Sequence, residues 1–205
     1  MPKRWMRQPP TKTDIVKLVE SCKTPGSKLA IALAAFSGLT PGQIRRLTLG
    51  RNVGELSLPR LKFVQMPARI NLSSAPREET RRPFRFHRWY TFMSSRSGAW
   101  LLEDLKARSQ QPVSAKSAVV TARSFREADG GVHVASFRWH DLQDFFAESF
   151  IRCFVTMGTG SVDLHFLLGH SIDENALTHV WRFFDPQRIE WMRAKYARVE
   201  KRFFA

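Results

Sequence analysis

The sequence predicts a mainly helical α+β fold with a small antiparallel β-sheet, built as one domain. Three observations carry that expectation. Apolar residues recur at spacings of three and four, most clearly at Leu142, Phe145, Phe146, Phe150, Cys153, Phe154 and Met157, the period of a helix with a wide buried stripe. From about Leu56 to Phe92 the pattern changes to short alternating apolar runs separated by Pro59, Pro67, Pro76 and Pro83, as in the strands of a small sheet. The chain has 205 residues, 43% of them hydrophobic, with sixteen Phe and six Trp. That is enough apolar material for one substantial core, and it excludes a disordered basic tail.

The elements follow in order. Thr13 or Asp14 can cap a first helix with Ile15, Leu18, Val19 and Cys22 on one face. A second helix over Gly26 to Phe36 is apolar on most sides and belongs at the centre. Gly38 and Leu39 then turn the chain, with Thr40 as N-cap and Pro41 as first residue of a short basic helix. Strands are expected in residues 61–64, 68–72 and 84–92. A helix covers Gly98 to Arg108, and Ser109 to Gly131, rich in Ser, Gln, Ala and Gly, reads as a loop. The long helix from His140 to Gly158 follows, then a short one begun by Ser161. Asp185 and Pro186 start a last helix with Ile189, Met192, Tyr196, Val199 and Phe203 on one side. Three parts result: a basic arm over 1–10, the domain over 11–185, and the terminal helix over 186–205. The terminal stripe can pack on its own domain or on a second copy.

Charge narrows the function. Thirty-three Lys and Arg against 18 Asp and Glu give a net charge of +15, which favours polyanionic partners, nucleic acid first. Arg77, Arg81, Arg82 and Arg85 interleave with Phe84, Phe86, Trp89 and Tyr90, a pattern suited to phosphate-backbone contact. Cys22 and Cys153 show no paired or metal-ligand spacing and read as core thiols. Nothing points to a metal, a cofactor, a secretory signal or a membrane span, so an intracellular protein is expected.

Four short motifs then line up. They are Gly38-Leu39-Thr40 with Gln43, the basic hairpin with Arg77, His140-Asp141-Leu142-Gln143, and Leu168-Gly169-His170. In order and spacing they resemble the catalytic domain of tyrosine recombinases, or phage-type integrases, and among these the archaeal branch. The resemblance covers nearly the whole chain from about Thr11. In that family the first motif carries an arginine where Thr40 stands and a glutamate at the position of Gln43. The hairpin bears a lysine, for which Arg77 is the nearest basic replacement. The second motif ends in an arginine where Gln143 stands. The nucleophilic tyrosine follows the Leu-Gly-His histidine by about nine to a dozen residues. Here that window holds His179, Val180, Trp181 and Arg182, and the chain's two tyrosines are Tyr90 and Tyr196.

The resemblance implies a reaction in which tyrosine oxygen attacks a DNA phosphodiester while arginines grip the charge that builds on its oxygens. Thr40 and Gln143 cannot supply a cationic fork, and loss of one preorganised donor typically costs about a hundred- to a thousandfold in rate. The expectation is a DNA-binding protein that no longer cleaves. It would hold duplex through Arg45, Arg46, Arg51, Arg77, Arg81, Arg82 and Arg138, with His140 and His170 retained at the old site. Taken singly, those histidines read as helix-end residues. Family integrases clamp DNA with a further helical domain; about ten residues precede the first helix here, so modest affinity is expected unless copies act together. Two alternatives remain open. One is a divergent recombinase or nuclease with His179 or a partner's group as nucleophile; the other is an RNA-binding or ribosome-associated protein.

Overall fold

The computed structural model describes residues 10–73, 88–108, 113–155, 161–170 and 180–204. Helix α1 (Lys12–Ser21) is capped by Thr11, whose backbone N–H donates to Asp14 Oδ2 at 2.9 Å while Asp14 N donates to Thr11 Oγ1 at 3.3 Å. The helix therefore starts before Thr13 and Asp14, and Asp14 closes a capping box instead of being the cap. Ile15, Leu18 and Val19 are buried as expected, and Cys22 ends the helix as a buried free thiol.

Helix α2 (Pro25–Ser37) is the axis of the molecule. Leu29 to Leu33 are wholly buried, and α1, the strand Arg88–Met93 and the helices Ser95–Ala107, Ala122–Val134 and Trp139–Val155 pack around it. An element surrounded in this way has no solvent side, which is why its sequence shows little amphipathic contrast. Gly38 ends it at φ 70°, with Leu39 N donating to Leu33 O at 3.1 Å, and α3 (Pro41–Arg46) begins directly after Thr40.

The single small sheet of the sequence reading is two separate antiparallel ribbons. One pairs β1 (Leu56–Ser57) with β2 (Lys62–Phe63) around a 3-10 turn at Leu58–Arg60 that includes Pro59. The other pairs β3 (Ala68–Ser73) with β4 (Arg88–Met93), from Ala68 opposite Met93 to Ser73 opposite Arg88. Pro67 donates no N–H and stands between the ribbons, so the strand ladder cannot run through it. Along β3 burial alternates at Ala68, Ile70 and Leu72, whereas β4 is buried on both faces after Arg88.

Helix α4 (Ser95–Ala107) follows, capped by Ser94. The expected loop over Ser109 to Gly131 is overturned in its second half, because Ala122–Val134 forms helix α5 behind the cap Thr121. Its Phe125, Ala128 and Val132 are buried at helical spacing. The Gly130-Gly131 pair masks that periodicity in sequence, although a Cβ added at Gly130 would meet nothing within 4 Å, so no packing demands the glycine there.

Helices α6 (Trp139–Val155), α7 (Ser161–Leu168) and α8 (Pro186–Phe204) complete the chain, with a 3-10 segment at Val180–Phe184. Leu142, Phe145, Phe146, Phe150 and Cys153 bury the α6 stripe; the Phe154 side chain and Met157 lie outside the described residues. Asp185 Oδ1 accepts from Gln187 N at 2.8 Å and caps α8. The α8 stripe, Ile189, Met192, Tyr196, Val199 and Phe203, is buried within its own chain. Each such side chain contributes about 1.5–3 kcal/mol, together on the order of a whole domain's net stability. That apolar face packs against its own domain. Arg193, 5% exposed, adds a fork to Glu55, with Nη2 to Oε1 at 2.6 Å and Nη1 to Oε2 at 3.0 Å, and also donates to Pro67 O. It ties α8 to both ribbons.

Candidate nucleic-acid interface

The motifs that are far apart in sequence meet at Gly38. A Cβ added there would lie 2.7 Å from both the Phe146 ring and Leu168 Cδ2, so the turn fits only by having none. Gln143 Nε2 donates to Gly38 O at 2.9 Å. The α2–α3 turn, α6 and the end of α7 are thereby locked together. Gly169, at φ 66°, closes α7; its missing Cβ would be 2.5 Å from Trp89 Cε2 on β4. The hairpin strand joins the same cluster from the other side.

The side chains of Thr40, Gln43 and Gln143 are hydrogen-bonded within the protein. Thr40 and Gln43 form a capping box at the start of α3, with Thr40 N donating to Gln43 Oε1 at 2.7 Å and Gln43 N to Thr40 Oγ1 at 3.2 Å. The three-residue spacing therefore serves helix initiation here. Gln143 bonds Gly38 through its nitrogen, and its Oε1 lies 3.4 Å from His140 Nδ1. His140, its side chain 43% exposed, also has Asp144 Oδ1 at 4.0 Å from Nε2. His170 is exposed; its backbone N–H donates to His165 O at 2.9 Å, and the two imidazoles sit 5.9 Å apart. His165 was not singled out from the sequence. It is brought to His170 by the left-handed turn at Gly169, a feature with no signal beyond the glycine itself.

Both tyrosines of the chain are interior. Tyr90 donates its hydroxyl to Phe183 O at 2.9 Å and Tyr196 to Phe36 O. Burial raises both phenols well above the usual tyrosine value. Neither phenol oxygen is presented at the surface, and each is committed as a hydrogen-bond donor to a carbonyl.

Beside the Gly38 turn is a cationic surface backed by aromatic rings. Arg45, Arg46 and Arg51 are exposed. The Arg45 guanidinium stands 5.4 Å over the Phe125 ring, which stacks on Trp139 at 5.0 Å and 9°. Trp139 Nε1 is anchored to Asp129 Oδ1 at 2.6 Å. This stack joins α3, α5 and the first turn of α6, and it has no signature in the sequence because the paired glycines hide α5. Arg138 is 49% exposed and engages Asp141 through Nη2 at 3.1 Å. Arg77, Arg81, Arg82 and His179 lie outside the described residues.

The architecture is a mainly helical fold of the tyrosine-recombinase type, with its four motifs' described parts gathered at one turn. In particular, the crystal structure of XerA recombinase is similar over 91% of this chain and 66% of that chain, with a TM-score of 0.55 and 15% sequence identity. The chain thus spans just under two thirds of that recombinase's length. No family model and no curated protein matches the sequence. Among the described residues no helix is long and apolar enough to cross a membrane.

Proposed function

We propose that the protein binds double-stranded DNA through the α3 face and the start of α6 and does not cleave it, serving as a regulator, architectural or accessory factor, as of a mobile element. The observation that carries the reading is the state of the recombinase frame. Thr40 and Gln143, neutral side chains where the resemblance places arginines, are half-buried and already bonded, Thr40 Oγ1 accepting from Gln43 N and Gln143 Nε2 donating to Gly38 O. The only two tyrosines of the sequence are buried. Exposed Arg45, Arg46, Arg51 and half-exposed Arg138 remain around that frame. Exposed cations beside two buried tyrosines and neutral residues at Thr40 and Gln143 suit backbone contact better than strand transfer.

The test is equilibrium binding of a labelled duplex across a salt series, with structured RNA as competitor. Duplex binding whose affinity falls steeply with salt, by about 0.9 log units per log unit for each phosphate neutralised, supports the reading. Preference for RNA would move the assignment to an RNA-binding protein.

A further inference from the structure

The chain turns a tight corner between α5 and α6. Phe137 N donates to Val132 O at 3.0 Å and Ser136 N to His133 O at 2.9 Å, with Ser136 itself at φ 60°. The corner brings Asp129 of α5 to Trp139, the first residue of α6, and Asp129 Oδ1 accepts from Trp139 Nε1 at 2.6 Å. Trp139 stacks on Phe125 at 5.0 Å and 9°, and Phe125 lies under the Arg45 guanidinium at 5.4 Å. Phe125 is 8% exposed and forms a fixed support, whereas Arg45 beyond it is exposed.

Each link in this chain of contacts has a physical effect. A free arginine loses rotamer freedom when it grips a phosphate, and one already laid on a ring has lost part of it before the ligand arrives. The ring serves that purpose only if it is held, and an indole held by stacking alone can slide. The hydrogen bond to a carboxylate fixes it. Asp129 is exposed and negative, so by charge alone it disfavours a polyanion near this face. A carboxylate here opposes DNA binding unless its hydrogen bond matters more than its charge.

We propose that Asp129 is a positioning residue for DNA-backbone contact, holding Arg45 ready for a phosphate through Trp139 and Phe125. The inference rests on the DNA-binding reading above and gives a part in it to an acidic residue that acts through others.

Anisotropy titrations of a labelled duplex with the full chain and its variants test it. Asp129→Ala and Asp129→Asn remove the same charge, but only asparagine keeps an oxygen acceptor for Trp139 Nε1. Asp129→Ala should weaken binding about threefold to tenfold, against the gain that charge removal alone would give. Asp129→Asn should restore the loss. Trp139→Phe, which removes the donor and leaves a ring and the carboxylate in place, is a second variant in the weakening direction. In an Arg45→Ala background Asp129→Ala should cause no further loss, a coupling that a merely structural role would not produce. No duplex binding by the unsubstituted chain would refute the DNA-binding reading, and this inference with it. Duplex binding that is indifferent to Arg45→Ala, that is weakened by Arg45→Ala but not by Asp129→Ala, that is the same in Asp129→Ala and Asp129→Asn, or that falls further on Asp129→Ala without Arg45 would overturn the positioning role alone.

Discussion

Gln143 on α6 donates its side-chain amide to the carbonyl oxygen of Gly38 at 2.9 Å, across 105 positions of sequence. The residue that stands at an expected catalytic arginine thus has a structural task, tying the second motif to the first. Gln143→Ala should remove about 1 kcal/mol of stability, because the half-buried carbonyl loses its donor. Urea denaturation reads the change as a lower midpoint with an unchanged slope. An unchanged midpoint would mean that water replaces the amide at no cost.

Gly38→Ala is expected to be far more damaging. It combines a left-handed φ of 70° with a Cβ 2.7 Å from Phe146 and Leu168, for a loss of about 3 kcal/mol from strain and overpacking together. Gly130→Ala is the control. Its Cβ meets nothing within 4 Å in the middle of α5, so it should stabilise by about 0.5–1 kcal/mol. Thermal melting of the two variants should move in opposite directions.

If the α3 face contacts phosphates, each of Arg45→Ala, Arg46→Ala and Arg51→Ala should weaken duplex binding similarly for unrelated sequences. Each should also lower the salt slope by about 0.9. Anisotropy titrations at several salt concentrations measure this directly. A slope unaltered in all three variants would place the DNA elsewhere.

Burial pushes the Cys22 and Cys153 thiols above their usual 9.0. The folded chain then holds these protons more tightly than the unfolded chain. The stability they contribute is complete below pH 9.0 and is lost as pH rises through the raised values. Replacing both with Ala should flatten the alkaline fall in melting temperature. At neutral pH neither thiol should react with a disulfide reagent until denaturant is added.

Much of this was legible in the sequence, and the failures have physical causes. Thr40 and Pro41 mark the start of α3, and Asp185 and Pro186 that of α8, because capping chemistry is local. The α6 and α8 stripes show their buried faces because amphipathic periodicity is local too. Helix α5 was hidden by paired glycines and a small-residue composition, and with it the Arg45, Phe125 and Trp139 stack. The order of motifs indicated the recombinase-type fold but not how Gln143 and Thr40 are used. Their partners, Gly38 and Gln43, are revealed only when the turn and the helix are placed. The group in which half-buried Arg188 meets buried Asp163, Nη2 to Oδ1 at 2.5 Å, beside Lys195 joins α7 to α8 and has no pattern in the sequence.

A nicked duplex that traps a covalent intermediate distinguishes a chain that holds duplex DNA from one that also cuts it. After incubation at low salt, binding is read before denaturation and covalent attachment after it. A retained duplex that is released completely by detergent is expected. A detergent-resistant protein–DNA adduct, above all one lost in His179→Ala, or no duplex binding at low salt, would contradict it.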